Sequence, residues 1–279
     1  MAKVDSRKQK QPSKSVSDRR VDKYLRDLGI GPISDPETFW WSMSSLFGEK
    51  ADRFQQLMWK RTHSEYGSAA LVRCMNEQYR VKNSSLDFSI VLSSYFVGGF
   101  FGGLLKFVSG LSFESPPRRI LDIGCDNGIL TAYYALLFPQ ATVVGVDRCR
   151  QAIACATELK DRFELTNLSF VHGNPLQARQ PRALGKEKWD LVLMSMCGYE
   201  ESTRHANTES QIADQFMNCL APDGTGIVVE PPNSALLECL VGRARSGKVH
   251  SLPFGNASTS KATVKCAVLR ARQQKLPAL

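Results

Sequence analysis

The apolar positions of this chain change period once. Up to about residue 110 they recur at helical spacing; from residue 119 onward short apolar runs alternate with helical stretches. Val21, Tyr24, Leu25 and Leu28 share one face of a short helix predicted over 21–30, which Gly29 and Gly31-Pro32 break. Asp35-Pro36-Glu37 places proline near the first helical position and starts a second helix carrying Phe39, Trp40, Trp41, Met43 and Leu46, closed by Gly48. One longer helical run is expected from about 49 to 81, through Phe54, Leu57, Met58, Tyr66, Leu71, Met75 and Tyr79. Trp40, Trp41 and Trp59 sit at helical spacing, which suits core packing better than a substrate pocket. Residues 88–105 carry no charge and just reach membrane-spanning length, yet seven of the 18 are Gly or Ser. Two Gly-Gly pairs oppose an isolated helix. The segment therefore reads as a buried helix, a flexible Gly-Phe turn and another short helix.

Ser115-Pro116-Pro117 marks a boundary, after which strand and helix alternate as in a parallel α/β sheet. Ile120, Leu121 and Ile123 form the short apolar run of a doubly covered strand. Gly124 and Gly128 bracket a tight turn, where a ligand can approach bare backbone. Ile129, Leu130, Tyr133, Leu136 and Leu137 follow at helical spacing until Pro139; Thr142 to Val146 is the next strand, ended by Asp147. A helix is expected over 149–162, a third strand over 168–171 and a fourth over 189–194. Thr208 and Gln211 form a capping box for a helix through Ile212 and Phe216. Ala221 to Gly224 is a turn into a fifth strand at 226–229, a helix covers 234–245, and strands at 249–254 and 262–270 close the chain.

Length and composition narrow the class. A chain of 279 residues buries a sizeable core, and 43% hydrophobic with 23% charged content is ordinary for a soluble globular protein. Eight scattered cysteines include no C-x-x-C pair, which argues for reduced thiols in a cytosol-like compartment and against a disulfide framework or zinc site. The N-terminus is polar and basic, with no apolar core of a signal peptide. Charge is uneven: residues 1–20 net +5 and 243–279 net +8, within a total of +9, so the remaining body is mildly acidic. Such basic ends are either solvated tails or contacts for an anionic partner such as RNA. No cluster has metal-ligand spacing, so no metal is expected.

The turn at 122–128 separates two cofactors. A dinucleotide fold uses G-x-G-x-x-G with a pyrophosphate at the helix N-terminus. Here Asp126 replaces the middle glycine and Asp122 stands just before the first. Two carboxylates would repel a pyrophosphate and suit a cationic amine and sulfonium. An acid about 20 residues past such a turn, as Asp147 is, is where nucleotide-binding folds hold a ribose.

This D-x-G-x-x-x-G turn followed by V-x-G-V-D resembles the first two motifs of the class I S-adenosylmethionine-dependent methyltransferases. The resemblance covers about residues 86–272. It implies a Rossmann-like α/β fold: a seven-stranded, mostly parallel sheet with a closing antiparallel hairpin, preceded by an N-terminal helical cap. The corresponding division is a basic tail at 1–20, a cap or lid at 21–115, with Tyr95 a candidate lid residue, and an S-adenosylmethionine-binding domain at 116–279. It further implies roles at the strand ends. Gly124, Cys125 and Gly128 pass close to the methionine portion, Asp122 favours its ammonium, Asp147 takes the ribose hydroxyls and Arg148 flanks the adenine. Gly173 and Asn174 follow the third strand at the adenine edge, Asn174 standing where the family commonly has an acid. Ser195 and Met196 follow the fourth strand at the cofactor and acceptor. Tyr199, Glu200 and His205, with Glu201 beside them, are candidates for a general base if the acceptor is a hydroxyl; His172 is a further candidate contact. The absence of Asn/Asp-Pro-Pro-aromatic after the fourth strand tells against methylation of adenine or glutamine amides.

The resulting expectation is a methyltransferase using S-adenosylmethionine on a small-molecule acceptor, in the cytoplasm, or in the nucleus of a eukaryote, without stable membrane insertion. RNA or protein methylation is the second reading. A nicotinamide dehydrogenase and a non-catalytic binding or scaffold protein are the readings from other classes.

Overall fold

A computed structural model of the chain describes residues 16–271 apart from 32, 34, 66–67, 175, 177–183, 185–186, 198–207, 233 and 254–262, with only the backbone of 17, 36 and 95–99. Ile120, Leu121 and Ile123 are buried on both faces, so β1 (Arg119–Ile123) lies inside the sheet, paired in parallel with β2 (Thr142–Asp147) and β4 (Trp189–Ser195). β3 (Leu168–His172) extends the sheet beyond β2. On the other side β5 (Leu220–Glu230) pairs in parallel with β4 and antiparallel with β7 (Thr263–Arg270), which pairs with the edge strand β6 (Ser246–Pro253). The order β3-β2-β1-β4-β5-β7-β6 is the expected seven-stranded, mostly parallel sheet with an antiparallel closing hairpin. It switches direction between β1 and β4, where open α/β sheets bind ligands at the strands' carboxyl ends.

β5 begins earlier than expected. Leu220 already pairs with Trp189, and a register shift before Leu191–Thr225 lets the intervening Ala221–Gly224 turn stand out of the ladder. Helices cover both faces. α6 (Ile129–Leu137) and α7 (Arg150–Arg162) lie on one, and α8 (Glu209–Cys219) and α9 (Ala235–Arg243) on the other. The Thr208–Gln211 capping box starts α8 as the sequence predicts.

The N-terminal region departs more. The first helix, α1, spans Val16–Asp27 and so takes in the last residues of the expected tail, with Asp18 in its first turn and Arg26 in its last. α2 is Pro36–Phe47, with Asp35 as its N-cap. The single run expected over 49–81 is two helices, α3 (Glu49–Thr62) and α4 (Ala69–Lys82); Ser68 caps the second by accepting from Leu71 N–H at 3.1 Å.

The break expected in 88–105 does not occur: α5 is one 24-residue helix, Leu86–Ser109. Propensity is overridden by packing. A Cβ on Gly102 would stand 3.7 Å from Leu25 and one on Gly103 3.6 Å from Pro253, ordinary contact distances, so α5 packs on α1 and β6 along this stretch. The Lys106–Asp22 ion pair at 2.8 Å ties α5 to α1 again. Among the described residues no helix is long and apolar enough to cross a membrane. α1 and α5 share the core of the α6 face, through Tyr24, Leu25, Leu104 and Leu105. α2, α3 and the start of α5 form a smaller cluster around Met43, Phe54, Phe88 and Leu92.

Candidate active site

The turn after β1 is fixed from several sides. Gly124 and Cys125 donate their N–H groups to Val146 O of β2 at 2.8 and 3.1 Å. Gly124 has φ +73°, and a Cβ there would come within 2.7 Å of Cys197 Sγ. Gly128 has φ +79° where the chain enters α6, and a Cβ would collide with Phe170 at 2.8 Å and Ala156 at 2.9 Å. Both positions therefore need glycine for conformation and space. Asp126 takes a left-handed φ of +50° between them. Its carboxylate is held by Lys82 and by Asn83 Nδ2 at 3.0 Å, both at the end of α4. Asn127 is buried and donates to Ser89 Oγ at 2.8 Å and Ser93 Oγ at 3.1 Å on α5. The N-terminal helices thus build the turn as well as covering it.

Two buried acids face this turn. Asp122, on β1, accepts from Thr131 Oγ1 at 2.6 Å. Burial pushes its carboxyl up to about 7; the Thr131 hydrogen bond opposes the rise and the charge of Asp147 adds to it. Asp147, at the end of β2, accepts from Cys149 N–H at 2.8 Å on Oδ1, and from Asp126 N–H at 3.1 Å and Tyr79 O–H at 3.3 Å on Oδ2. Burial, then the charge of Asp126, raises its carboxyl to about 6 against those two backbone hydrogen bonds.

Both acids line a cavity of about 330 Å³ at the carboxyl ends of β1, β2 and β4. Of the ten residues predicted to meet the cofactor, nine line it: Asp122, Gly124, Cys125, Asp147, Arg148, Gly173, Asn174, Ser195 and Met196. Gly128 does not; it lies against Phe170 and Ala156. Asn174 Oδ1 accepts from Leu176 N–H at 2.9 Å, so part of the amide expected at an adenine edge closes its own loop. Met196, with φ +60°, is anchored by donating to Val229 O at 2.8 Å.

The opposite wall comes from the N-terminal helices. It is apolar at Phe54, Met75, Phe100 and Phe101, and polar at Arg61, Gln78, Tyr79, Lys82 and Ser93. None of these was assigned a role from sequence, because pairs such as Asn83–Asp126 lie 43 residues apart and no local period marks them. The one legible trace is helical spacing: Met75, Gln78, Tyr79 and Lys82 fall on one face of α4.

Other candidates lie elsewhere. The candidate bases Tyr199, Glu200 and His205, and Glu201 with them, are outside the described residues, as is the side chain of Tyr95. His172 is exposed, its Nε2 2.9 Å from Arg148 O, and lines a separate cleft. His63 stacks on Trp59 and His250 packs on Phe107. Trp40 packs on Phe54, whereas Trp41 and Trp59 are 74% and 63% exposed, so neither the pocket nor the core reading holds for that pair. Among the described residues no three His, Cys, Asp or Glu side chains group as metal ligands.

The donor set fits a cationic ligand. Two buried carboxyls with raised proton affinity share one crevice, and the backbone turn between them carries a third acid. An ammonium and a sulfonium would relieve that repulsion, and a pyrophosphate would increase it.

A family model described as a methyltransferase domain matches residues 115–268, more than half of the chain. The chain is 34% identical over 92 residues to the secondary metabolism regulator laeA of Aspergillus flavus, covering 32% of this chain and 22% of that protein. It is 39% identical over 61 residues to a malonyl-[acyl-carrier protein] O-methyltransferase of Halalkalibacterium halodurans, covering 22% of each. The aligned stretches are thus under a quarter of these relatives' lengths. The N-methyltransferase NodS from Bradyrhizobium japonicum aligns in structure with a TM-score of 0.43 at 18% identity, over 56% of this chain and 86% of that one. On the matched domain and the sheet order, this chain belongs to the methyltransferase-domain family and has the Rossmann-like fold of the class I S-adenosylmethionine-dependent methyltransferases.

Proposed function

We propose that the crevice binds S-adenosylmethionine and that the protein transfers its methyl group to a small, largely apolar acceptor held beneath α4. The observation that carries this reading is the buried pair Asp122 and Asp147 on either side of a bare-backbone turn. When bound, the cofactor supplies a methyl group already activated by the sulfonium. The residues of the chain then have to align two partners and keep water out. Asp122 meets the ammonium, and Asp147 accepts from the ribose hydroxyls, whose place on Oδ2 is held here by Tyr79 O–H. Gly124 and Cys125 bring backbone to the methionine portion, Arg148, Gly173 and Asn174 border the adenine, and Ser195 and Met196 lie between cofactor and acceptor. Tyr199, Glu200 and His205 remain the candidate bases on the loop after β4. Phe54, Met75, Phe100 and Phe101 exclude water above the crevice.

The test is a labelled-methyl transfer screen against extract separated into small molecules, RNA and protein. Label entering the small-molecule fraction supports the proposal, and label confined to RNA or protein contradicts the acceptor class. One observation favours RNA as a second reading: Arg80, Arg148 and Arg150 line a cleft of about 450 Å³ beside the crevice, with His172 and no carboxylate. RNA binding through that cleft would fall steeply with salt and survive deletion of residues 1–15.

A further inference from the structure

Among the described residues the cavity's acids, Asp122, Asp126 and Asp147, all lie on the sheet side, with Arg148 beside them. On the helical side, Lys82 is engaged by Asp126, Tyr79 O–H by Asp147, and Ser93 Oγ by Asn127. Arg61, at the end of α3, differs. Arg61 lines the cavity, and its guanidinium donates through one nitrogen to Gln78 Oε1 at 3.2 Å, a neutral partner; among the described residues no acid pairs with it. Gln78 is buried, so it orients the guanidinium without neutralising it. Phe54, Met75, Phe100 and Phe101 line the same cavity. A guanidinium presents five donors in a planar fork that matches a carboxylate.

We propose that Arg61 recognises the acceptor, and that the acceptor is an apolar molecule carrying a carboxylate. This rests on the cofactor reading above. With the methionine ammonium at Asp122, the cofactor's own carboxylate, on the same carbon, lies at the glycine turn beside Lys82. Gln78, which holds Arg61, lies one helical turn before Lys82 in α4, its backbone about 6 Å from that of Lys82. Arg61 is therefore left for a second anion, with the aromatic side chains receiving the apolar body.

The experiment is calorimetric titration of the full chain saturated with S-adenosylhomocysteine, using benzoate and octanoate against benzamide and octanamide. The carboxylates should bind at least tenfold tighter than the amides, and Arg61→Gln should erase the difference while S-adenosylhomocysteine affinity stays within twofold. Arg61 is exposed at the surface, so the variant should melt with the native protein, which a thermal scan checks. Equal or absent binding of acids and amides overturns the proposal, as does a preference that survives Arg61→Gln. A tenfold loss of S-adenosylhomocysteine affinity in Arg61→Gln, with methylthioadenosine unaffected, also overturns it by assigning Arg61 to the cofactor. Failure of the native protein to bind S-adenosylhomocysteine would strike the cofactor reading instead.

Discussion

Asp122→Asn should make the ligand-free protein more stable and a poorer binder at once. In the folded chain burial holds the Asp122 carboxyl near 7, against about 3.9 for an unfolded aspartate. Between those two pH values the folded state keeps a proton that the unfolded state has released. Its contribution to stability therefore declines as pH rises through that window and levels off above about 7. Three pH units correspond to roughly 4 kcal/mol. Asparagine cannot ionise, and its carbonyl can still accept from Thr131 Oγ1, which lies 2.6 Å from the native oxygen. Its amide must find a partner on the cavity side, which offsets roughly 1–2 kcal/mol of the gain. The variant should thus exceed the native protein by about 2–3 kcal/mol at pH 8 and fall below it by about 1 kcal/mol near pH 4, where the native carboxyl is neutral and only the cost of the amide remains. Urea denaturation without ligand at both pH values measures it. A variant less stable than native at pH 8, or one whose advantage does not shrink on acidification, refutes the claim that Asp122 is a desolvated acid lacking a counter-charge.

The same electrostatics predicts that S-adenosylhomocysteine, whose ammonium favours both carboxylates, expels protons on binding between pH 6 and 7. Calorimetry in buffers of different ionisation enthalpy should show net release, reduced in Asp122→Asn; no release would mean that the ammonium lies elsewhere. Gly128→Ala should cost about 2–4 kcal/mol, from a left-handed φ of +79° and contacts under 3 Å with Phe170 and Ala156. An unchanged urea midpoint would show that the turn is not tightly held.

The sheet and its ligand-facing rim were legible because short buried strands and the glycine turn are local signals. Asp122, Gly124 and Asp147 could be placed by spacing alone. The cover was not. Gly98-Gly99 and Gly102-Gly103 read as a break, yet α5 runs on through both pairs, packed on α1 and β6 at the second. Ser68 divides α3 from α4 through one side-chain cap that helical periodicity cannot reveal. The contacts from Tyr79, Lys82, Asn83 and Ser89 to the turn join residues far apart in the chain. Nothing in the hydrophobic pattern couples them.

The measurement that bears most directly on the cofactor crevice is titration of the native protein and Asp147→Ala with S-adenosylhomocysteine, with NAD as the comparison ligand. The native chain should bind S-adenosylhomocysteine and not NAD, and the variant should bind it more than tenfold more weakly, having lost the charge-assisted acceptor for the ribose. Equal affinity in the two proteins, or a preference for NAD, would contradict the account.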